Sequence, residues 1–275
     1  MSNRNSLKSK LVASPYIVWS VLFIIVPLVF VVYYAFTNPE GAFTFENVME
    51  LGRYIPTFLR SIWFGIVSTL ICLLIAFPLA YFISQTTEKV QRTMVMLVML
   101  PMWMSFLIRT YSWMVLLQDE GIINNFLEAL GLNGIHMIDT KGAVILGMVY
   151  NFLPYMILPI YTVMAKLDRS MVEACQDLGG NRLTVIRKCI LPMSMPGIVS
   201  GITMVFVPSV STFYISQKLG GNKTMLVGDT IEYFFNSGPD YYNIASAISL
   251  VLMVLIMISL LIMNRYSDDD GGVII

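Results

Sequence analysis

Residues 173–192, Glu-Ala-Cys-Gln-Asp-Leu-Gly-Gly-Asn-Arg-Leu-Thr-Val-Ile-Arg-Lys-Cys-Ile-Leu-Pro, form a polar, internally patterned insert in a chain that is otherwise mostly apolar. Just upstream, Ser170-Met-Val-Glu173 fits a capping box: the Ser170 oxygen accepts from the Glu173 amide, and the Glu173 carboxylate reaches back to the Ser170 amide. A helix is expected to start there. Met171, Ala174, Cys175 and Leu178 then share a face at three- and four-residue spacing, and Gly179-Gly180 offers the left-handed position that ends a helix. Asn181 is placed to cap a second short helix, in which Leu183, Ile186 and Ile190 share a face until Pro192 and Pro196 stop it. An isolated helix of about nine residues is marginal in water. The element must therefore pack against its own chain or dock in a groove of another protein.

The flanking sequence decides what surrounds this insert. Of 275 residues, 57% are hydrophobic and 12% charged, with a mean hydropathy of +0.74, whereas soluble domains carry about 25% charged residues. Basic and acidic residues balance at 17 each, which gives no reason to expect nucleic acid as a partner. Six runs supply the ~20 apolar residues a bilayer crossing needs: about 15–36, 61–84, 94–117, 142–165, 196–216 and 243–263. Each must be helical, because an open strand in lipid leaves peptide groups unpaired. The expected fold is an all-α integral membrane protein with six transmembrane helices over residues 15–264, a leading segment 1–14 and a tail 265–275. The first run lacks a small-residue cleavage site and reads as a retained span.

Eleven Lys and Arg residues fall on one side of these spans and five on the other, with Arg109 inside a span. The positive-inside rule puts both termini and the insert in the cytoplasm. The opposite loops hold ten acids, a distribution that attracts cations. Cys72, Cys175 and Cys189 have no metal-ligand spacing and read as reduced structural thiols.

Glu173-Ala-Cys, then Gly179 after three residues, then Leu191-Pro192 resembles the EAA motif of bacterial ABC importer permeases, EAA-x3-G-x9-I-x-L-P. Cys175 stands where the second Ala is expected, and Cys189 where Ile is expected. The resemblance implies the type I (MetI-like) permease fold. It also implies a coupling helix at about 170–188 that docks on an ATPase subunit through Glu173, Ala174, Asp177, Gly179 and Gly180. Leu100–Leu117, Gly121–Leu132 and Phe213–Gly221 are similar to the PotB-type permeases of spermidine/putrescine importers, and the similarity runs from about residue 12 to 264. It implies a homologous second permease, an ATPase subunit dimer and an extracytoplasmic polyamine-binding protein as partners. ATP and Mg would be used by the ATPase, with no cofactor bound by this chain.

Other classes fit less well. Gly220-Gly-Asn-Lys-Thr224 lacks the glycines of a phosphate-cradling loop, and the six runs contain no Asp, Glu or His of the kind ion-coupled carriers place within the membrane. The only His, His136, has no GxSxG or HExxH string to work with, so no enzyme is expected. For a polycation with methylene stretches, ring faces suit the path: Trp103, Tyr111, Tyr150, Tyr155 and Tyr214, with Trp113 as a further ring. Pro154 and Pro159 are expected to break the span around Tyr150-Asn151 and open it to a cavity, and Pro208 to do so before Ser209, Ser211 and Thr212. Asp119 and Glu120 would be the first carboxylates a polyamine meets. Arg109 is expected to pair with a carbonyl or an acid, and Gly197 and Gly201 to mark a close helix contact. A permease for another solute is the alternative within the class.

Overall fold

The computed structural model describes residues 15–177 and 179–270. The segment 1–14 with Arg4, Lys8 and Lys10, Leu178, and the tail residues 271–275 lie outside the described residues. Among the described residues all the regular structure is helical, apart from one isolated bridge, Thr37 to Phe43. Among the described residues, four helices are long and apolar enough to cross a membrane, or six if each of two bent pairs is one span.

Contacts divide the chain into two units. The first takes the chain through Ile55 together with Thr230–Val254. Here α1 (Pro15–Ala35) is apolar on every side and almost wholly exposed within its own chain, as suits a helix in lipid. Where it ends, Asn243 donates to the carbonyls of Tyr34 and Thr37, and Asn47 to those of Ala35 and Thr37. These amides satisfy acceptors that a helix terminus leaves open.

The second unit, Pro56–Asp229 with the chain from Leu255, carries the core. It contains most of α2 (Ile55–Ser84), then α3 (Glu88–Met99), α4 (Phe106–Leu117), α5 (Ile122–Ala129) and α6 (Lys141–Met164). The insert follows as α7 (Arg169–Asp177) and α8 (Arg182–Met193), and then come α9 (Met195–Ser211) and α10 (Tyr214–Leu219). Two further helices, α11 (Val227–Ser237) and α12 (Tyr242–Asp270), contribute residues to both units. The centre of the second unit is α6 against α9. A Cβ at Gly197 would stand 2.8 Å from the Pro159 carbonyl oxygen, and one at Gly201 would stand 2.7 Å from Met156 Sδ. The close contact expected of these glycines is therefore present, and the backbones approach because neither has a side chain.

Two of the six expected spans are not single helices. The run 94–117 is split: α3 and the 3-10 turn Leu100–Trp103 meet α4 at 87°. Pro101 has no N–H to continue the helix, and Met104 and Ser105 are extended (ψ 145° and 132°). The run 196–216 also divides, because α9 stops at Ser211, Thr212 is extended (ψ 147°) and α10 starts a new helix. At its other end α9 bends by 67° from α8. The remaining runs match α1, α2, α6 and α12, although α12 continues to Asp270 and makes residues 265–270 helical.

Prolines do less than expected. α6 passes unbroken through Pro154 and Pro159, and α9 through Pro208. Each removes one backbone bond, at Tyr150, Tyr155 and Met204, but the buried face shared by α6 and α9 holds both helices together. No opened turn borders Asn151 or Ser209.

If the α6–α9 approach sets the stability of this unit, Gly197→Leu should destabilise the protein by about 1–3 kcal/mol, the usual cost of overpacking. Thermal unfolding in lipid nanodiscs should show the loss, while Gly52→Ala, where an added Cβ meets nothing within 4 Å, should unfold close to wild type.

Candidate functional site

The insert starts two residues earlier than the capping box implied. Asp168, not Ser170, caps α7: its Oδ1 accepts from the Ser170 amide at 3.0 Å. A carboxylate before the first turn also meets the positive end of the helix. The backbone and side-chain hydrogen bonds from Ser170 hold the Asp168 carboxyl below its ordinary pKa. Because the folded pKa is lowered, this cap stabilises the helix at neutral pH and is lost only as pH falls below the ordinary carboxylate value of about 3.9.

Termination follows the expected glycine logic. Gly179 has φ +81°; its amide donates to the Gln176 carbonyl at 2.9 Å, and the Gly180 amide donates to the Cys175 carbonyl at 3.2 Å. This is the paired bonding of a Schellman motif. The two glycines differ in what they tolerate: a Cβ at Gly179 meets nothing within 4 Å, whereas one at Gly180 would stand 2.6 Å from the Cys175 oxygen. Gly180 thus serves internal packing, and Gly179 faces open space. Asn181 caps the next helix as expected, with its Oδ1 accepting from the Thr184 amide and hydroxyl, both at 2.8 Å.

The buried face of the insert is rotated from the one the spacing suggested. Val172 and Cys175 pack against the core, while Met171 and Ala174 are exposed and Leu178 lies outside the described residues. In α8, Val185 and Ile190 are buried with Ile186 beside them, and Leu183 is exposed. A π-helical turn over Ile186–Ile190 shifts the period and moves Leu183 off the inner face. The outward face of α7 then presents Glu173, Ala174 and Asp177 together. Beside it lies a cleft of about 490 Å³ lined by Glu173, Gln176, Ser84, Gln85, Glu88 and Gln91 among others. The turn at 84–91 was missed from the sequence, although its polar run between two apolar ones was the available signal.

The expected path residues do not converge. Trp103, Tyr111 and Tyr155 are exposed on the isolated chain, whereas Asn151, Ser209 and Thr212 are buried, with Ser211 half-buried. Tyr150 stands edge-on to Trp113 at 5.3 Å, and Tyr214 packs with Phe106 at 6.3 Å and lies under Lys218 Nζ at 5.7 Å. A polyamine would have to displace that ammonium to use the same ring face. Ser209 and Ser211 donate back to the carbonyls of Val205 and Val207. Asp119 is engaged by His136 Nδ1 at 2.8 Å, while Glu120 is exposed. Asp229, one of the ten acids assigned to the opposite loops, is buried, and its Oδ2 accepts from the Leu226 amide at 2.7 Å.

Arg109 departs furthest from expectation. It is 6% exposed, and its Nε and Nη1 find neither a carbonyl nor an acid among the described residues. It sits on α4 between Phe106 and Trp113, the residues that touch α10 and α6. On α6, Asn151, which follows Tyr150, donates to the Gly147 carbonyl at 2.9 Å, and its own Oδ1 has no partner among the described residues.

A family model, the binding-protein-dependent transport system inner membrane component, matches residues 2–270. The chain belongs to this family. It is a multi-pass inner-membrane permease subunit of an ABC importer and is not itself an enzyme. The spermidine/putrescine transport system permease protein PotB of Escherichia coli strain K12 is 33% identical over 251 residues, covering 87% of this chain and 91% of that one. Its counterpart in Haemophilus influenzae is 35% identical over 259 residues, covering 90% of both chains. Among solved structures, a chain of a bacterial ABC transporter involved in import of the acidic polysaccharide alginate aligns with TM-score 0.77 at 19% identity. That alignment covers 98% of this chain and 99% of the other. A chain of the MetNI methionine ABC transporter aligns with TM-score 0.60 at 17% identity, covering 81% of this chain and 97% of that one. Both likenesses establish the type I, MetI-like permease fold of this family.

Asn tolerates positive φ better than other non-glycine residues, so Gly179→Asn should keep more of α7 than Gly180→Asn, whose side chain collides with the Cys175 carbonyl. Hydrogen exchange of the α7 amides reads this directly. The same measurement on Asp168→Ala should show faster exchange at residues 169–172 at neutral pH, and the difference from wild type should vanish in acid, where the wild-type cap is itself protonated.

Proposed function

We propose that this chain is the polyamine-conducting half of an ABC importer's pore. The observation that carries the cargo is the 33–35% identity to spermidine/putrescine permeases along most of both chains; the alginate and methionine transporters share the fold alone. The distribution of Lys and Arg supports a cytoplasmic location for both termini and for α7 and α8. A homologous second permease completes the pore, two ATPase subunits sit beneath it using ATP and Mg, and an extracytoplasmic binding protein delivers the polyamine.

In this reading α7 is the coupling helix. Its exposed Glu173, Ala174 and Asp177, with Gly179 at its end, enter a cleft of the ATPase, and Gly180 supports them from within. Closure of the ATPase dimer on ATP draws the two docked helices together. α8 then passes the displacement to α9, which opens the pore outward, and hydrolysis reverses it. Candidate path residues are the exposed rings Trp103, Tyr111 and Tyr155, with Glu120 outside them. Tyr150, Asn151, Ser209, Ser211, Thr212, Tyr214 and Asp119 contribute only if their present contacts open during the cycle.

In an uptake-deficient strain carrying this chain with its genomic neighbours, radiolabelled spermidine or putrescine should accumulate only when the ATPase is active. An assembled complex that takes up neither would direct the assignment to another solute within the same family. Gly179→Trp, which adds bulk where the chain itself leaves space, should insert normally yet lose ATPase co-purification and most uptake; unchanged uptake would contradict docking through this face.

A further inference from the structure

The two positions at which the insert departs from the EAA pattern are both cysteines, and the fold brings them together. Cys175 lies on the inner face of α7, and Cys189 lies in the π-helical turn of α8. They are fourteen positions apart in sequence, yet α7 packs on that turn. Cys189 Sγ lies 3.8 Å from the carbonyl oxygen of Met171, one helical turn before Cys175 on the same side of α7. The Cys189 thiol also lies 3.9 Å from Met193 Sδ. Cys175 and Cys189 are both half-buried against the same core, and both are free thiols in this structure. The third cysteine, Cys72, is fully buried in α2 and has no thiol neighbour of this kind.

We propose that Cys175 and Cys189 form a reversible dithiol–disulfide site whose substrate is a low-molecular-weight disulfide, and that its oxidised form locks α7 to α8. The cytoplasmic location, and the consequence for transport, rest on the functional reading above; the cross-link itself does not. Burial, and then the neighbouring Cys175 thiol, hold the Cys189 thiol above its ordinary pKa, so Cys189 is the poorer first nucleophile. Cys175 therefore attacks first: its thiolate takes one sulfur of the small disulfide, forms a mixed disulfide and expels one thiol. The Cys189 thiolate then attacks Cys175 Sγ, forms the intramolecular bond and expels the second thiol. Two protons leave the protein thiols and two thiols are released, so the pair is oxidised by two electrons and the small disulfide is reduced by two.

A disulfide needs Cα atoms within about 7 Å, so it fixes the inner face of α7 against the turn that leads into α9. A coupling element must transmit a displacement between these two segments. Tying them together should slow the cycle without preventing assembly. In a reducing cytoplasm the bond would be transient, as sensing disulfides are.

The test uses the assembled complex in nanodiscs, treated with glutathione disulfide and then analysed by peptide mass and thiol labelling. The expected result is a cross-link joining the peptides that carry Cys175 and Cys189, with Cys72 still a thiol, and reversal by dithiothreitol. Cys189→Ser should leave glutathione trapped on Cys175 instead. Glutathione retained on wild type without a cross-link, or two thiols that stay reactive as thiols, would overturn the site. In proteoliposomes, uptake by the oxidised complex should fall several-fold and recover on reduction, while the Cys189→Ser complex loses this dithiothreitol-reversible cross-link. A cross-link that leaves uptake unchanged would overturn the lock. No uptake of any polyamine before oxidation would count against the cargo assignment alone, because the cross-link is read by mass.

Discussion

The close approach of α6 and α9 underlies the rest of the second unit. In lipid there is little hydrophobic gain in bringing two apolar helices together, so association depends on contact between surfaces that fit. Gly197 and Gly201 supply that fit by letting the backbone of α9 reach Pro159 and Met156. The same contact holds α6 helical through two prolines. It also fixes the positions of Met164 and Met195, the two ends between which the insert is hung. A pair of short helices that would be marginal in water is stable here because both anchors are held.

The insert is built so that its two faces do different things. Inward, Val172, Cys175, Val185 and Ile190 join the core; outward, Glu173, Ala174 and Asp177 are exposed. Capping by Asp168 and Asn181 satisfies amides at the starts of α7 and α8, and the Schellman bonds satisfy carbonyls at the end of α7. The backbone of the element is largely self-sufficient, which leaves its outer side chains available to another surface. α8 then meets α9 at 67°.

Farther along, α4, α6 and α10 meet through rings, with Arg109 among them. Its buried guanidinium and the unpartnered Asn151 oxygen are the costliest polar groups in this part of the chain. Such groups hold a structure only when something compensates them, and the neighbouring chains of an importer are where further partners are available. The aromatic contacts Trp113–Tyr150 and Phe106–Tyr214 occupy ring faces that an isolated reading of the sequence would have assigned to substrate.

The membrane class, the number of apolar runs, the Asn181 cap and the Gly179–Gly180 stop of the insert were determined by local properties: composition, run length, and the conformational and hydrogen-bonding preferences of glycine and asparagine. These hold wherever the chain folds, and so Gly179 and Asn181 behave as read. Which side of α7 is buried, where two of the spans bend and what the prolines do were decided only by tertiary packing. A helix period fixes relative positions on a face but not which face meets a neighbour, and a π turn shifts the period without any residue that announces it. The missing N–H of proline is likewise local, whereas its effect depends on whether a helix such as α9 holds the turn closed. The meeting of Cys175 and Cys189 belongs to the same category, because it exists only where α7 is folded back on α8.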